Sequence, residues 1–315
     1  MVKCKVCEVE FENDRSLHAH LKAHKMRMVE YYQTHYPRYD LLTGGIILFK
    51  NKDQYFTDDF NDRINLRKWL ASKSENEIKE YLKKFFLFRK EKKGWKFSPT
   101  QVELRTVMSP PVQYYHKIFD GYAAFCDSVG LENRFDSFPT SYIPDEKIDG
   151  RKDRSIFVDT REQTPLRFNY PIEIKTLSYG DYSFSDINAS CGCHVERKSL
   201  NDFLGTLSGG FDRFKNEIER ADAQGSYLVV VVERKLDDCK AFNHLSEIKR
   251  KIGKMKATPE YIFHNVRELL QTYKNLQFLF VESREESVRV IEKIFTSKCV
   301  FKKIDLQLAY DLKFL

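Results

Sequence analysis

One segment of the chain, residues 179–202, limits what the chain can fold into more than any other. It reads YGDYSFSDINASCGCHVERKSLND, two strand-like runs joined by a turn-rich stretch. Glu196 and Lys198 lie two positions apart in the second run, so in a strand their side chains leave the same face. A turn at residues 191–193 would fold this run against the first and bring Asp181 beside Glu196.

Asp181 and Glu196 would then be two carboxylates at close range, and such a pair is costly to bury unless a cation neutralises it. Their oxygen atoms are hard ligands that suit Mg²⁺ or Mn²⁺ better than Zn²⁺. Cleavage of a phosphodiester by metal-activated water also needs a cationic side chain near that water, and Lys198 is placed to supply it. The segment therefore predicts a metal-dependent hydrolytic site.

The spacing of these residues resembles a known family. The dipeptide GD at 180–181, followed by ERK-x-x-x-D, is similar to the signature of the XPF-type structure-specific endonucleases, a branch of the PD-(D/E)xK nuclease superfamily. Upstream, the run IFVDTRE at 156–162 resembles the first strand of that family. Further helices and strands of the family are matched by residues 211–220, 227–233, 276–282 and 285–295. The resemblance covers roughly residues 154–297.

The resemblance implies an α/β fold of the PD-(D/E)xK type, with a nuclease domain built on a central mixed sheet. It implies catalytic roles for Asp159, Arg161, Glu162, Asp181, Glu196, Arg197, Lys198 and Asp202. Asp181 and Glu196 would hold the Mg²⁺ or Mn²⁺ ion, with Asp159 as a further ligand. Lys198 would orient or deprotonate the attacking water, and the remaining residues would position these groups or the scissile phosphate.

Taken singly, most of these residues also have a purely structural explanation. Ser199-x-x-Asp202 has the form of a capping box, so Asp202 could serve only to cap the following helix. Asp159, Arg161 and Glu162 could form a surface ion network after a strand. The nuclease interpretation depends on the whole set occurring in the order of the family.

The N-terminus carries a second motif. Four residues have the ligand spacing of a Cys₂His₂ zinc finger, and they are Cys4, Cys7, His20 and His24. Phe11 and Leu17 fall where such a ββα finger places its core residues. A module this small buries too little core to fold alone, so Zn²⁺ must supply the missing free energy. We expect zinc removal to unfold only the first ~25 residues.

This finger is a poor candidate for reading a base sequence. By resemblance, its helix would present Asn13, Ser16 and Ala19 at the positions that usually touch bases. These side chains give little guanine readout compared with arginine. We therefore expect the finger to add affinity for the DNA backbone or to contact another protein. His18 lies off the ligand template and is predicted to be an exposed helix residue.

The composition agrees with an intracellular nucleic-acid enzyme. The 315 residues allow about two domains besides the finger, and the net charge of +7 suits a polyanionic partner. The cysteines outside the zinc motif show no disulfide spacing, which favours free thiols in a reducing compartment such as the cytoplasm or nucleus. No apolar run approaches a membrane span, so no membrane partner is expected. A phage or other mobile genome is a compatible origin.

Proline, glycine and polar residues divide the chain into four expected parts. They are the finger (1–26), a mostly helical middle domain (27–135), a linker (136–153) and the nuclease domain (154–315). Within the middle domain, residues 46–49 are predicted as a short strand, and 58–72, 75–93, 100–107 and 113–129 as helices. The final residues, 302–315, alternate in part and are predicted to add a strand.

The helix predicted at 75–93 interleaves aromatic with basic residues. We expect Leu82, Phe85, Phe86 and Phe88 to pack inward on an amphipathic helix. The basic side chains are either a solvated face or a surface that binds DNA phosphates, which is the interpretation we favour. The candidates for that contact are Lys83, Lys84, Lys90, Lys92 and Lys93.

Together these features predict a metal-dependent endonuclease acting on branched or single-strand-bearing DNA in repair, recombination or replication. Members of the family usually continue into helix-hairpin-helix motifs that bind DNA and pair two subunits. No such motif follows residue 295, so we expect the finger and the middle domain to replace it, with a homodimer through the nuclease domain left open. Alternatives are a sequence-specific mobile-element or restriction-type nuclease and an inactive DNA-binding scaffold.

Overall fold

The structure, a computed structural model, describes residues 1–143, 154–249 and 257–315. The predicted linker lies outside these residues from position 144 to 153. The chain forms two compact units, which we call the N-terminal unit (residues 1–93 and 108–110) and the sheet unit (94–107 and 111–315). This division does not coincide with the expected boundaries at 26 and 135, because most of residues 94–135 group with the sheet.

The N-terminal unit opens with the predicted ββα order. Its elements are β1 (Val2–Lys3), β2 (Glu10–Phe11), α1 (Asp14–His20), α2 (Met28–His35), α3 (Lys52–Thr57), α4 (Arg63–Ser72) and α5 (Glu75–Lys93). Strands β1 and β2 pair antiparallel with Val2 opposite Phe11. Asn13 caps α1 by accepting the N–H of Ser16 at 3.0 Å.

The first helix shares its core with the elements that follow it. Leu17 and Leu21 lie in one buried cluster with Tyr31, Tyr32 and further aromatic residues. His18 is not exposed as predicted, because its Nε2 lies 2.9 Å from the hydroxyl of Tyr32. The apolar side of this ββα segment is therefore covered by α2.

Helix α5 spans the predicted residues. Leu82, Phe85 and Phe86 are buried as expected, but Phe88 is 36% exposed, so its predicted inward packing is wrong. Arg89 is buried on this face in place of Phe88, and its guanidinium carbon lies 4.8 Å from the centre of the Phe85 ring. Positions 82, 85, 86 and 89 follow the i, i+3, i+4, i+7 pattern of one helix face, and 88 falls outside it.

Two other predictions for this unit need correction. The strand predicted at 46–49 is replaced by an isolated bridge between Tyr39 and Ile46. The helix predicted at 58–72 begins only at Arg63, because Asp62 caps it by accepting the N–H of Asn65 at 2.7 Å. A polar residue that accepts a main-chain N–H in this way favours a helix start over a helix interior.

The sheet unit has helices around a central sheet. Its helices are α6 (Gln101–Arg105), α7 (Val112–Ile118), α8 (Tyr122–Ser128), α9 (Ile187–Ser190), α10 (Leu200–Thr206), α11 (Phe211–Ala223), α12 (Leu236–Lys240), α13 (Ser246–Lys249), α14 (Pro259–Thr272), α15 (Arg284–Thr296) and α16 (Leu306–Asp311). Its strands are β3 (Ile156–Asp159), β4 (Ile172–Lys175), β5 (Tyr182–Phe184), β6 (Cys193–Lys198), β7 (Tyr227–Val232) and β8 (Leu276–Phe280).

The six strands lie in the order β4-β3-β5-β6-β7-β8. Strand β3 pairs parallel with β4, and β6, β7 and β8 are parallel to one another. Strand β5 is antiparallel to both of its neighbours. The predicted α/β class with a central mixed sheet is confirmed.

Both faces of the sheet are buried at its centre, which explains why β7 is the uninterrupted apolar run YLVVVV. Val229 and Val231 belong to one core with α15 and α16. Val230 and Val232 belong to the other core with α10, α11 and α14. The sheet unit is therefore a three-layer arrangement of helices, sheet and helices.

Several elements of this unit differ from the predictions. Residues 306–311 form helix α16, and the predicted final strand is wrong because Asp305 caps a helix there by accepting the N–H of Leu308 at 2.9 Å. The helix predicted at 113–129 is split at Asp120 and Gly121, which have positive φ angles of 54° and 145°. The edge strand β4, exposed along its whole length, was not predicted.

The cysteines also depart from the expectation of free thiols. Cys191 and Cys299 form a disulfide with their Cα atoms 5.7 Å apart, a separation typical of this bond. Cys126, Cys193 and Cys239 are free and buried. The pair could not be predicted from cysteine spacing because 108 positions separate the two residues.

No helix among the described residues is both long enough and apolar enough to span a bilayer.

Candidate active site

Strands β5 and β6 bring the first predicted site residues together. They pair antiparallel with Tyr182 opposite Val195, and the short helix α9 joins them where a simple turn was expected. Asp181, just before β5, donates its N–H to the carbonyl of Val195 at 2.8 Å. Its Oδ2 accepts the main-chain N–H of Arg197 at 2.8 Å. The carboxylate of Asp181 is thus fixed against β6, as the hairpin prediction required.

Glu196 and Lys198 leave the same face of β6, as the alternation predicted. Lys198 Nζ donates to Glu196 Oε1 at 2.6 Å, and the two residues are only 7% and 9% exposed. Phe214 of α11 covers the ammonium group, whose nitrogen lies 4.9 Å from the ring centre. Because water is largely excluded, the charges of this pair act strongly on each other and on their neighbours.

Burial and mutual repulsion act on the two carboxyl groups. Burial, and next the negative charge of Glu196, raise the pKa of Asp181 to about 8. Burial also raises the pKa of Glu196, although Lys198 opposes that effect. Ionising both groups is therefore costly, and a divalent cation between them would remove that cost. An all-oxygen donor set of this kind fits Mg²⁺ or Mn²⁺.

Asp159, predicted as a third metal ligand, is engaged elsewhere. Its Oδ1 accepts the main-chain N–H of Arg161 at 2.8 Å and the Nε of the same residue at 2.6 Å. Its Oδ2 accepts the N–H of Leu177 at 2.7 Å. Burial alone would raise the pKa of Asp159, but these donors lower it on balance. Asp159 therefore anchors Arg161, whose side chain is 66% exposed.

The predicted three-carboxylate metal set is not assembled. Within the part of the chain that the structure describes, one group of three or more His, Cys, Asp or Glu residues has its ligand atoms within 4.8 Å of one another, and it lies in the N-terminal unit. The two carboxylate oxygens of Asp159 instead accept hydrogen bonds from Arg161 and from the N–H of Leu177.

Arg197 lies on the opposite face of β6 from Glu196 and Lys198. Its Nη2 bonds both carboxylate oxygens of Glu162, and its Nη1 lies 3.0 Å from Glu233 Oε2. All three side chains are about nine-tenths buried. This network ties the end of β6 to the segment after β3, so Arg197 and Glu162 act as a scaffold under the site.

Asp202 lies in the first turn of α10 and interacts with the capping residue Ser199, as the capping-box explanation predicted. The Ser199 hydroxyl accepts the N–H of Asp202 at 3.3 Å and donates to its Oδ2 at 2.6 Å. The exposed carboxylate therefore secures the start of α10, directly after the strand that carries Glu196 and Lys198.

Two residues of α11 that the sequence analysis did not single out also belong to the site. They are Phe214, above the Lys198 ammonium, and Glu217, whose Oε1 accepts the N–H of Gly180 at 2.9 Å. The signal was present in the sequence, because Phe214, Ile218 and Ala221 define the buried face of α11. Glu217 borders that face and is directed towards the sheet.

The N-terminal unit holds the Cys and His group that the finger motif predicted. The four candidate ligand atoms are Sγ of Cys4 and Cys7 and Nε2 of His20 and His24. The distances from Cys7 to His20, from Cys4 to His24 and between the two histidines are 3.2, 3.7 and 3.0 Å. A tetrahedron with bonds of about 2.0–2.3 Å has edges of about 3.3–3.8 Å. The four donors lie close to that size, and their two-sulfur, two-nitrogen chemistry fits Zn²⁺.

The candidate DNA-binding lysines lie along α5. Lys84, Lys90 and Lys92 are exposed, whereas Lys83 and Lys93 are half-buried. Lys93 Nζ lies 3.0 Å from Asp53, and Lys92 Nζ lies 2.8 Å from Glu91. An exposed ion pair of this kind is weak, so these lysines can exchange the carboxylate for a phosphate.

Comparison with known proteins bears on the sheet unit. Residues 158–294 match the family model described as the ERCC4 domain. Among solved structures, the chain is similar to XPF from Aeropyrum pernix at 20% identity and a TM-score of 0.33, covering 45% of this chain and 59% of that one. The structure of XPF from Aeropyrum pernix in complex with DNA gives the same identity and TM-score, with 44% and 62% covered. The chain thus spans less than two thirds of the length of either structure.

No curated protein sequence matches the chain. The site thus combines a mixed sheet with a buried acid–lysine pair and a second carboxylate beside it. The match of residues 158–294 to the ERCC4 domain model covers less than half of the chain and supports the XPF-type resemblance of this region.

Proposed function

We propose that the protein is a metal-dependent endonuclease that hydrolyses phosphodiester bonds of branched or single-strand-bearing DNA in repair, recombination or replication. The observation that carries the proposal is the buried Glu196–Lys198 pair facing the same site as Asp181. It lies inside the region that matches the ERCC4 domain model.

Asp181 and Glu196 would hold the catalytic Mg²⁺ or Mn²⁺. When bound, the cation supplies Lewis-acid polarisation of the phosphate and lowers the pKa of coordinated water. Lys198, held by Glu196 and covered by Phe214, would stabilise negative charge on the attacking oxygen and on the phosphate. Its position needs no rearrangement of the strand, because the ammonium is already fixed by a 2.6 Å hydrogen bond.

The arginines and the remaining carboxylates have separate roles in this proposal. Arg161 has an exposed guanidinium that could bond the scissile phosphate, and Asp159 orients it. We revise the predicted role of Asp159 accordingly: it would become a metal ligand only by giving up Arg161 and the N–H of Leu177. Arg197 with Glu162, and Asp202 at the start of α10, would position the strand that carries the catalytic groups.

The N-terminal unit would contribute to substrate binding. Cys4, Cys7, His20 and His24 would hold a structural Zn²⁺. The lysines of α5 would contact DNA phosphates without reading the base sequence. An inactive scaffold is the less favoured alternative, because the chain retains Asp181, Glu196 and Lys198, whereas a degenerate site would have lost at least one of them.

The test is cleavage of a panel of flap, fork, splayed-arm, nicked, single-stranded and plain duplex DNAs in Mg²⁺ or Mn²⁺. We expect cleavage of one or more of the branched or single-strand-bearing substrates, at positions set by the structure of the DNA. Asp181→Ala and Glu196→Ala should reduce cleavage by at least about a thousandfold while DNA binding is kept, since metal-activated water supplies several kcal/mol of the barrier reduction.

Glu260→Gln is the matched control, because it removes an exposed carboxylate on α14 and should leave cleavage unchanged. Turnover of Asp181→Ala within a few-fold of the unaltered protein would refute the assignment of the site. Cleavage that follows a base sequence on random-sequence duplex would favour the sequence-specific alternative.

A further inference from the structure

Glu217 of α11 is connected to the residue that precedes Asp181. Its Oε1 accepts the main-chain N–H of Gly180 at 2.9 Å. Three further hydrogen bonds fix the next residue: Asp181 donates to Val195, accepts at its carbonyl from the N–H of Asp159, and accepts at Oδ2 from Arg197. Of these four hydrogen bonds, only the one at Gly180 has a partner outside the sheet, the side chain of Glu217.

The backbone at Gly180 leaves little freedom for any other arrangement. Its φ angle is +71°, a region that side chains disfavour. A Cβ there would lie 3.1 Å from the carbonyl oxygen of Val195 and 3.3 Å from Cβ of His194. Gly180 is therefore pressed against β6 on one side, and its N–H is held by Glu217 of α11.

Glu217 also carries a charge that is unfavourable at this place. Its carboxylate adds to the negative charge around Glu196, whose ionisation is already opposed by burial. The N–H of Gly180 requires a hydrogen-bond acceptor, because Gly180 is buried and a buried N–H without an acceptor costs free energy. Glu217 therefore contributes to the shape of the site through its hydrogen bond to Gly180, and its negative charge is not what the site needs.

We propose that Glu217 is a positioning residue that aims the Asp181 carboxylate by holding the N–H of Gly180. This proposal rests on the proposed nuclease function for its kinetic consequence, since Asp181 is there a metal ligand. Loss of the contact frees the Tyr179–Gly180 peptide and lets Gly180, and with it Asp181, shift; a displacement of about 1 Å at a catalytic group costs up to a hundredfold in rate.

The experiment compares Glu217→Ala with Glu217→Gln, because glutamine keeps the acceptor oxygen and removes the charge. We expect Glu217→Ala to lower kcat at saturating Mn²⁺ by at least about tenfold, with KM for DNA changed less than twofold. Glu217→Gln should restore kcat to within about threefold of the unaltered protein. Asp212→Asn, which removes an exposed carboxylate from the first turn of the same helix, is the control and should have no effect.

A second measurement does not depend on activity. In protein labelled with ¹⁵N-glycine, the Gly180 amide should exchange with solvent faster in Glu217→Ala and at the unaltered rate in Glu217→Gln. Equal defects of the Gln and Ala variants, or an unaltered Ala variant, would overturn the proposal. If the unaltered protein cleaves no DNA in the panel, the proposed function fails, and the exchange of Gly180 still decides whether Glu217 holds this peptide.

Discussion

Arg197 Nη2 lies 3.1 Å from each of the two carboxylate oxygens of Glu162. The two residues are 35 positions apart in the chain, and Glu233 takes up a second guanidinium nitrogen at 3.0 Å. The family resemblance implies catalytic roles for Arg197 and Glu162, but in the structure these two side chains are bonded to each other. They face away from Glu196 and Lys198.

Replacing Arg197 should therefore affect stability more than chemistry. Arg197→Ala removes the guanidinium that bridges two buried carboxylates, and we expect the free energy of unfolding to fall by about 3–5 kcal/mol. Denaturant unfolding in urea measures this change. Arg220→Ala is the matched control, because Arg220 is exposed on α11, and it should cost less than about 1 kcal/mol. Equal losses for the two variants would contradict the buried network.

Zinc removal should extend further than the finger itself. Leu17 and Leu21 share a buried cluster with Tyr31 and Tyr32, so unfolding of α1 exposes the apolar side of α2. We expect a Cys7→Ser variant, or chelation of the metal, to abolish hydrogen-exchange protection through residue 35 and beyond. This replaces the expectation that only the first ~25 residues unfold. Retained protection of Tyr31 and Tyr32 in the variant would show that the cluster survives without the metal.

The lysines of α5 should bind phosphates without sequence preference. Replacing Lys84, Lys90 and Lys92 by Gln should weaken binding to every DNA tested and flatten the plot of log K against log salt by about 0.9 per lost contact. A control triple at the exposed residues Lys298, Lys303 and Lys313 of the sheet unit removes the same charge. If both triples change the salt slope equally, the effect belongs to net charge and the α5 surface has no special role.

The buried Asp305 should make stability depend on pH. Burial raises its pKa to about 6, against about 3.9 in the unfolded chain. The folded protein thus favours the protonated form, so the contribution of Asp305 is fully present below pH ~4 and is lost as the pH rises through ~6, on the order of 3 kcal/mol. Asp305→Asn cannot ionise. The stability of the unaltered protein relative to this variant should fall between pH 4 and pH 7, and a difference independent of pH would contradict the shift.

The disulfide between Cys191 and Cys299 should be detectable by peptide mapping without reductant. It closes a loop of more than a hundred residues, and a bond of this kind typically stabilises by about 2–4 kcal/mol. Addition of reductant should therefore lower the melting temperature of the unaltered protein and leave that of Cys191→Ala unchanged. An equal fall in the melting temperature of both proteins would show that the reductant does not act through this disulfide.

Much of the site followed from local sequence rules. Strand alternation placed Glu196 and Lys198 on one face, and the turn-rich stretch before them placed Asp181 against β6. What the rules missed depends on contacts between distant segments. Leu177 donates its N–H to the Asp159 carboxylate, and Glu217 accepts the N–H of Gly180. These contacts, like the helix at residues 306–311, depend on residues that are distant in the chain and cannot be predicted from a short stretch of sequence. Asp305 caps that last helix and bonds Gln101 at a separation of 204 residues.

The alternation along β6 has a consequence for how this sequence can change over generations. Because successive side chains point to opposite faces, a one-residue gain or loss within Cys193–Lys198 would turn Arg197 to the face that now carries Lys198, and Glu196 towards Glu162 and Glu233. Both catalysis and the buried ion network would be lost in a single step. Helix α9 lies outside the ladder, and the register of β6 is set by six pairings with β7. Insertions and deletions are thus tolerable in the connection before β6 and lethal to function within the strand.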